Sequence, residues 1–267
     1  MSFLQEIKNA NALIVGASQG IGFGFVKNLL ENNKITKIYA TYRQPDSASE
    51  LLTLADKYCD KLGTACAKGA RHLTCLSMDI TDESQIAEVV QKIRGDVTQL
   101  HLVINCVGIL HDSSLEPEKS LRQINSENLM RYFQVNSIGS VLLAKHLLPL
   151  LRHKDRSVFA SISAKLGSIG DNQLGGWYGY RASKAALNMF LRTVAIEYGR
   201  TSPKTIVVTL HPGTTDTRLS KPFQANVPPE KLFSVERTVT QLLGVIEHLQ
   251  DNDSGKFFSW DGSQLPW

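Results

Sequence analysis

Short apolar segments alternate with longer stretches of helical periodicity along most of this 267-residue sequence. Each segment is apolar throughout rather than alternately apolar and polar, which is typical of strands that are covered on both faces. The alternation of such strands with helices predicts an α/β fold, a doubly wound parallel sheet of about seven strands with helices on both faces. The predicted strands are residues 12–15, 38–41, 73–76, 100–104, 157–162, 206–210 and 257–258.

The helical stretches complete this pattern and leave two irregular segments. No proline- or serine-rich linker and no internal repeat divides the chain, so we expect a single domain over residues 1–267. Residues 57–71 are polar and contain glycine, which predicts a loop that follows a helix. Residues 214–232 lie beyond the carboxyl end of a predicted strand, so they are expected to cover a substrate, the alternative being a surface excursion without a role. Phe223 of this segment and Trp177 are expected to line the substrate pocket. The predicted helices are residues 20–31, 84–93, 128–151, 178–198 and 235–249.

Composition and charge exclude several classes of partner. The formal net charge of +4 comes from scattered basic residues, without a run that is typical of a nucleic-acid or membrane patch. No apolar segment approaches the roughly 20 residues needed to span a bilayer, and the first residues lack a signal-peptide pattern. The cysteines show neither Cys-x-x-Cys pairing nor a histidine at ligand spacing, so we expect a cytoplasmic protein without disulfides or metal. These cysteines are Cys59, Cys66, Cys75 and Cys106.

A glycine loop follows the first predicted strand. Gly16, Gly20 and Gly22 form the pattern G-x-x-x-G-x-G directly before a predicted helix. Glycine permits a tight turn with positive φ and lets the backbone approach a pyrophosphate, which N–H groups at the helix N-terminus stabilise. The position of the loop favours a dinucleotide site over a purely structural turn. Three residues between the glycines are assigned to the same site, namely Ser18, Gln19 and Ile21.

The end of the second predicted strand indicates which dinucleotide binds. A carboxylate about 20 residues beyond the glycines would accept a hydrogen bond from the ribose 2′-hydroxyl of NAD. Here the first acidic residue is Asp46, and Arg43 stands where a guanidinium can pair with a 2′-phosphate. We therefore expect NADP(H) to be preferred over NAD(H).

Tyr180 and Lys184 are four residues apart in a predicted helix, so their side chains share a face. An ammonium beside a phenol is expected to lower the phenol's pKa from its ordinary value of about 10 towards neutral pH. Such a tyrosine can act as a general acid or base. Taken alone, this spacing is more typical of a surface pair than of a catalytic one. Tyr178 is a rival phenol, but the residue four positions after it is Ala182, which carries no charge.

Four further motifs occur along the chain, namely residues 79–81, residues 105–108, Asn136, and Pro212-Gly213 with Thr217. With the glycine loop and the pair of Tyr180 and Lys184, they resemble in kind and order the motifs of the short-chain dehydrogenase/reductase family over nearly the full chain. The resemblance implies a Rossmann-like fold. It implies that Asp79 and Ile80 contact the adenine, with helix capping as an alternative role for Asp79. It also implies that Asn136 is a catalytic asparagine and that Lys184 holds the ribose hydroxyls. The other positions that it assigns to the cofactor are Asn105, Gly108, Pro212, Gly213, Thr215 and Thr217.

One position departs from the family pattern. The catalytic serine of the family usually lies three residues before the glycine at Gly167, where this chain has Ala164. The neighbouring Ser163 is our candidate for the same role. Successive side chains of a strand point to opposite faces, so Ser163 reaches the substrate only if a bulge or the strand end re-aims it. Otherwise Ser163 is an ordinary strand residue, and Ser168 is a poorer substitute.

A narrower likeness concerns residues 167–180 and the ending 258–262, which resemble C-factor and sniffer-type carbonyl reductases. It implies an NADPH-dependent oxidoreductase that converts a ketone, aldehyde or quinone to an alcohol, with Tyr180 as the general acid. The alternative is a cofactor-binding signalling protein of C-factor type with little turnover. Family members usually assemble through two long helices, which implies a homodimer or homotetramer through residues 128–151 and 178–198.

Overall fold

The computed structural model describes Ile7 and residues 9–58 and 72–267. The strands are β1 (Ala10–Val15), β2 (Ile35–Tyr42), β3 (His72–Ser77), β4 (Leu102–Asn105), β5 (Ser157–Ile162), β6 (Thr205–His211), β7 (Thr214–Thr215), β8 (Leu232–Phe233) and β9 (Phe257–Ser259). The α-helices are α1 (Gly20–Glu31), α2 (Ser49–Tyr58), α3 (Glu83–Asp96), α4 (Ser126–Phe133), α5 (Gly139–Leu151), α6 (Tyr178–Thr201) and α7 (Val235–His248).

Within the described residues, seven strands form one parallel sheet in the order β3-β2-β1-β4-β5-β6-β9. The strand order reverses between β1 and β4, so a crevice opens at the carboxyl ends of these two strands. The short strands β7 and β8 pair with each other outside this sheet. The predicted doubly wound parallel sheet is thereby confirmed.

Apolar side chains pack against both faces of the sheet. One core includes Phe25 of α1 and Leu242 of α7. The other includes Ile86 of α3, Leu147 of α5 and Leu187 of α6. Because helices cover the sheet on both sides, its central strands have no solvent-facing side, which explains their continuously apolar sequences.

One helix differs from its predicted form, and another had no predicted bounds. The predicted helix 128–151 contains a π-helical segment, Gln134–Ile138, between α4 and α5. Such a segment inserts a residue into the helical repeat, and apolar periodicity does not reveal it. The helix expected before the predicted loop is α2, and its bounds were not predicted because Leu51 is its one buried residue, which leaves only a narrow apolar stripe.

Part of the predicted loop 57–71 was wrong, since residues 57 and 58 form the last turn of α2. The rest of that segment, with Cys59 and Cys66, lies outside the described residues. In the part of the chain that the structure describes, no helix combines the length and the apolar character needed to cross a membrane.

Candidate active site

The glycine loop connects β1 to α1 in a conformation that requires glycine. Gly16 and Gly20 have φ values of +77° and +57°, in the left-handed region that side chains disfavour. A Cβ on Gly22 would overlap with the carbonyl oxygen of Gly16, so this close approach excludes a side chain. Gln19 precedes α1 without capping it by a side-chain hydrogen bond. The N–H groups of the first turn of α1 therefore suit an anionic group.

The segment after β6 forms the opposite wall of the crevice. A Cβ on Gly20 would lie 3.3 Å from Cγ2 of Thr217, so the two loops face each other closely. Gly213 has a φ of +73° and turns the chain directly after Pro212. The hydroxyl of Thr215 is buried against that of Thr238 at 2.8 Å, so this side chain secures the wall from behind.

Arg43 follows β2 directly and is exposed. Two residues earlier, the Thr41 hydroxyl accepts a hydrogen bond from the Gly16 N–H at 3.1 Å. The Thr41 carbonyl accepts a second one from the Ala17 N–H at 2.7 Å. The end of β2 is thus tied to the glycine loop, and Arg43 lies at the rim of the crevice.

Asp79 and Ile80 lie between β3 and α3. The Asp79 carboxylate accepts hydrogen bonds from the backbone N–H and hydroxyl of Thr81, at 2.9 and 2.7 Å. The cap of α3 is Asp82, which accepts a hydrogen bond from the Ser84 N–H at 2.9 Å. Asp79 is therefore not the capping residue of α3, and its contact with the adenine stays a prediction. Ile80 is buried.

Tyr180 and Lys184 lie in the first two turns of α6, on one face of the helix. The Lys184 ammonium is 5.9 Å from the centre of the Tyr180 ring and donates a hydrogen bond to the Ile162 carbonyl at 3.0 Å. Both side chains are more than nine-tenths buried. The rival phenol Tyr178 is exposed at the helix surface. The structure thus brings together the two groups that the sequence singles out.

The electrostatics of this pair differ from the expectation. Burial raises the pKa of Tyr180 above its ordinary value, and the expected lowering by Lys184 does not appear. Burial also lowers the pKa of Lys184 to about 8, although the nearby Cys106 thiol acts in the opposite direction. The expectation was wrong because it weighed the attraction between the charges and gave too little weight to desolvation, which penalises both charged forms.

Asn136 lies in the π-helical segment and is fully buried. Its side-chain carbonyl accepts the Ile109 N–H at 2.7 Å, and its amide donates to the Ile109 carbonyl at 2.9 Å and to the Ser183 hydroxyl at 3.0 Å. Asn136 therefore ties the segment after β4 to α6. A Cβ on Gly108 would lie 3.3 Å from the Lys184 ammonium, so this glycine leaves space beside the lysine.

The amide and the carbonyl of the Asn105 side chain both form hydrogen bonds within the protein. Its amide donates to the hydroxyls of Ser140 at 2.6 Å and Ser161 at 3.1 Å, and its carbonyl accepts the Val107 N–H at 3.1 Å. Asn105 therefore holds the turn that follows β4, and the backbone of that turn faces the crevice.

Ser163 and Ala164 point in different directions. The Ser163 hydroxyl is buried and donates to the side-chain carbonyl of Asn188 at 2.8 Å. Asn188 lies eight residues after Tyr180, which is about 12 Å along the helix axis at 1.5 Å per residue. Ala164 packs in the same apolar cluster as Tyr180. Ser163 would have to give up Asn188 to reach a carbonyl at Tyr180, and its predicted role stays a prediction. Ser168 accepts a backbone hydrogen bond within its own loop.

The rings of Trp177 and Phe223, the two aromatic residues expected at the substrate pocket, form a group beside Tyr180. The ring centres of Trp177 and Phe223 are 4.8 Å apart, and those of Trp177 and Tyr180 are 6.3 Å apart. His111 packs edge-on against Phe223 at 5.6 Å, and its Nε2 lies 3.2 Å from the carbonyl oxygen of Leu219. The loop 214–232 is therefore held beside Tyr180 by contacts between distant parts of the chain, for which the sequence contains no local signal.

A second group of titratable side chains lies away from this edge of the sheet. Atoms of His101, His153 and Asp155 come within 4.8 Å of one another. Nδ1 of His101 accepts the Asn11 N–H at 3.1 Å, so its lone pair is occupied and Nε2 of neutral His101 carries the proton. His101 therefore presents an N–H group rather than a ligand atom, and the trio does not have the donor set of a metal site.

Known proteins that are similar to this chain include two reductases and a protein named C-signal. The carbonyl reductase from chicken fatty liver, solved with bound NADPH, superposes with a TM-score of 0.83 at 28% identity, over 98% of this chain and 100% of that one. A Saccharomyces cerevisiae benzil reductase ((S)-benzoin forming) is 32% identical over 82% of this chain and 76% of its own length. The C-signal of Myxococcus xanthus is 32% identical over 55% of this chain and 84% of its own length.

The predicted likeness to carbonyl reductases and to the C-factor branch is confirmed by these matches. The glycine loop, the free first turn of α1 and the space at Gly108 fit an extended anionic dinucleotide. A model of the short chain dehydrogenases matches residues 10–228, which span the sheet from β1 to the loop after β6. The chain therefore belongs to the short chain dehydrogenase family of oxidoreductases.

Proposed function

We propose that this protein is an NADPH-dependent carbonyl reductase. The observation that carries the proposal is the buried pair of Tyr180 and Lys184, which lies on one face of α6 with an apolar wall beside the phenol. A phenol in such a place can give a proton to a carbonyl oxygen without competition from water. The glycine loop lies at the same edge of the sheet, so cofactor and substrate would meet at Tyr180.

The chain's own residues account for the proton transfer. When bound, NADPH would supply the hydride. Because burial raises the pKa of Tyr180, the phenol keeps its proton at neutral pH and can donate it to the oxygen that becomes the alcohol. The pKa of Lys184 is about 8, so most of its amines are charged at pH 7 and stabilise the phenolate that this transfer leaves. Asn136 holds Ile109 and Ser183 in place around the pair.

Arg43 supports a preference for NADPH over NADH. Its guanidinium is exposed at the crevice rim, close to the glycine loop through Thr41. Arg43→Asp would remove a partner of the 2′-phosphate and add one for a 2′-hydroxyl, so we expect the ratio of NADPH to NADH affinity to fall by about 10- to 100-fold. Titration of both nucleotides by fluorescence measures this ratio, and equal affinities in the unchanged protein would refute the preference.

The side chains around Tyr180 support a largely apolar carbonyl compound as the substrate. Tyr180 clusters with Leu110, Leu115 and Ala164, and the rings of Trp177 and Phe223 close one side. A flat or aromatic ketone, aldehyde or quinone suits such a wall. The relative from yeast named as a benzil reductase supports aromatic ketones as the first compounds to test.

A signalling role is the second candidate, and the match to the C-signal favours it. In that case the cofactor would stabilise a surface that binds another macromolecule, and turnover would be slow. Binding of NADPH without turnover over a broad panel of carbonyl compounds would support this alternative.

The decisive experiment compares Tyr180→Phe with Tyr178→Phe in an assay of NADPH oxidation. Both changes remove one hydroxyl, but only Tyr180 lies beside Lys184, while Tyr178 is exposed. We expect Tyr180→Phe to lower kcat by about 10²- to 10⁴-fold with NADPH affinity unchanged, since a general acid contributes this much. Tyr178→Phe should retain normal turnover. Equal rates for the two variants would disprove the assignment.

Assembly through the long helices remains our proposal. Met130 of α4, Ile138 of the π-helical segment, and Met189 and Ile196 of α6 are large apolar side chains that are more than a third exposed. Their positions support a homodimer or homotetramer through these helices. Light scattering tests it, and a monomer at micromolar concentration would contradict it.

A further inference from the structure

Glu118 is a buried carboxylate in the segment between β4 and α4, and the mechanism above does not use it. Glu118 is only 2% exposed to solvent. One carboxylate oxygen, Oε2, accepts the backbone N–H of Gly179 at 3.1 Å. The backbone carbonyl of Glu118 accepts the N–H of Trp177 at 2.5 Å. Both contacts reach the start of α6, where Tyr180 follows directly after Gly179.

The start of α6 has an unfavourable backbone conformation. Trp177 precedes the helix with φ +52° and ψ +45°, in the left-handed region that residues with a side chain rarely adopt. Gly175 and Gly176, immediately before it, also have positive φ values. Trp177 does not cap α6 with its own side chain. The conformation therefore needs support from elsewhere in the fold.

Glu118 provides this support from a distant part of the chain. A side-chain oxygen that accepts an N–H group of the first helical turn is the usual cap of a helix, and a negative charge there is favoured by the helix dipole. A Cβ on Gly179 would overlap with the Tyr132 ring and lie 2.9 Å from Oε1 of Glu118. Glycine at this position thus lets the carboxylate and the Tyr132 ring approach the helix.

The second carboxylate oxygen distinguishes Glu118 from an ordinary cap. Oε1 is buried and has no hydrogen-bond partner among the described residues. An unpaired buried acceptor destabilises the fold, so the site is held at some cost to stability. Such a cost is typical of positions that serve a functional site.

We propose that Glu118 is a positioning residue for the reaction, which holds the first turn of α6 and thereby places both Trp177 and Tyr180. This inference rests on the proposed carbonyl reduction for its kinetic consequence alone. Loss of the carboxylate is expected to release Trp177 from its left-handed conformation and to misplace the phenol. The cofactor crevice on the β1 side should be unaffected.

The first test does not depend on activity. Hydrogen exchange is measured for the amides of the first two turns of α6 in Glu118→Ala, in Glu118→Gln and in Glu116→Ala. Glu116 is an exposed carboxylate on the same segment and serves as the matched control. We expect at least about 10-fold faster exchange in Glu118→Ala, as in a locally opened helix end. Glu118→Gln keeps an acceptor for Gly179 and should stay close to the unchanged protein, as should Glu116→Ala.

The second test is kinetic. Glu118→Ala should lower kcat by about 10- to 100-fold through misplacement of Tyr180, with NADPH affinity within about 2-fold. Glu118→Gln should restore most of kcat, whereas a uniform loss of folded protein would lower kcat and NADPH binding together. Unchanged exchange and unchanged kcat in Glu118→Ala would overturn the proposal. If the unchanged protein reduces no carbonyl compound, the proposed function fails while the exchange result still decides the role of Glu118.

A third measurement covers the case in which Glu118→Ala folds poorly. Trp177→Gly removes the strain of the left-handed conformation, because glycine adopts positive φ freely. Glu118→Ala should therefore lower the melting temperature by less in the Trp177→Gly background than alone. Equal decreases in both backgrounds would show that Glu118 does not support Trp177 and would refute the proposal.

Discussion

The two halves of the candidate site are constructed differently. The cofactor half depends on the loop between β1 and α1, where Gly16 and Gly22 meet six residues apart in sequence. The proton-donor half depends on contacts between distant segments, such as Glu118 with Gly179 and Asn136 with Ser183. The cofactor half requires space for the backbone, whereas the proton-donor half requires buried polar contacts. The former can be recognised in a short motif, whereas the latter becomes visible only when the chain is folded.

Different physical effects also dominate in the two halves of the site. In the glycine loop, sterics and unpaired backbone N–H groups dominate, so a single added methyl group is the sharpest perturbation. Around Tyr180 and Lys184, desolvation dominates, so pH and hydrogen-bond partners are the sharper perturbations. Four predictions test this contrast.

The largest effect is expected from Gly22→Ala in the cofactor half. The new Cβ would overlap with the Gly16 carbonyl oxygen, so the loop backbone must shift. We expect NADPH affinity to fall by about 10- to 100-fold, in keeping with the cost of overpacking. Gly95→Ala is the matched control, because a Cβ on Gly95 of α3 meets nothing within 4 Å. Calorimetric titration of both variants checks this, and equal affinities would remove the steric basis of the motif.

An intermediate effect is expected from pH in the proton-donor half. The pKa of Lys184 is lowered to about 8 from an ordinary value of 10.5, so its ammonium loses the proton as pH rises through about 8. Turnover should therefore fall by about 10-fold per pH unit above that value, if the charge is needed. A pH profile of kcat that stays flat to pH 10 would contradict the role of the ammonium.

The titration of Lys184 also predicts how stability depends on pH, and here the sign is opposite: stability rises over the range in which turnover falls. Between pH 8 and 10.5 the unfolded chain holds a proton on Lys184 that the folded chain has lost, so this group's contribution to the free energy of unfolding rises with pH. Its burial penalty is fully present at pH 7. Lys184→Met has no charge to desolvate. Its melting temperature should therefore exceed that of the unchanged protein by more at pH 7 than at pH 9.5. Melting temperatures at the two pH values measure this.

The smallest effect is expected from Ser163→Ala. The Ser163 hydroxyl is bound to Asn188, so its loss should change kcat by less than about 3-fold and cost about 1 kcal/mol of stability through the lost hydrogen bond. Ala164→Ser is the complementary variant, because Ala164 packs beside Tyr180. A loss of more than 100-fold in Ser163→Ala would instead establish Ser163 as the carbonyl-orienting residue.

Much of the fold followed from local patterns. The strand sequences are apolar throughout because helices cover both faces of the sheet, and each such run can be recognised without its neighbours. The glycine loop is similarly local, and so is the spacing of Tyr180 and Lys184, since one turn of helix sets both their distance in sequence and their common face. The π-helical segment around Asn136 and the bounds of α2 were not predicted, because the apolar periodicity does not mark either of them.

The sequence therefore specified the sheet, the crevice at its carboxyl edge and the candidates for cofactor and proton transfer, since each depends on residues close together in the chain. The folded protein alone specified which way Ser163 faces, how burial moves the pKa values of Tyr180 and Lys184, and that Glu118 supports the start of α6. The physical reason is that desolvation and hydrogen-bond partnership depend on groups that are distant in sequence and adjacent only after folding.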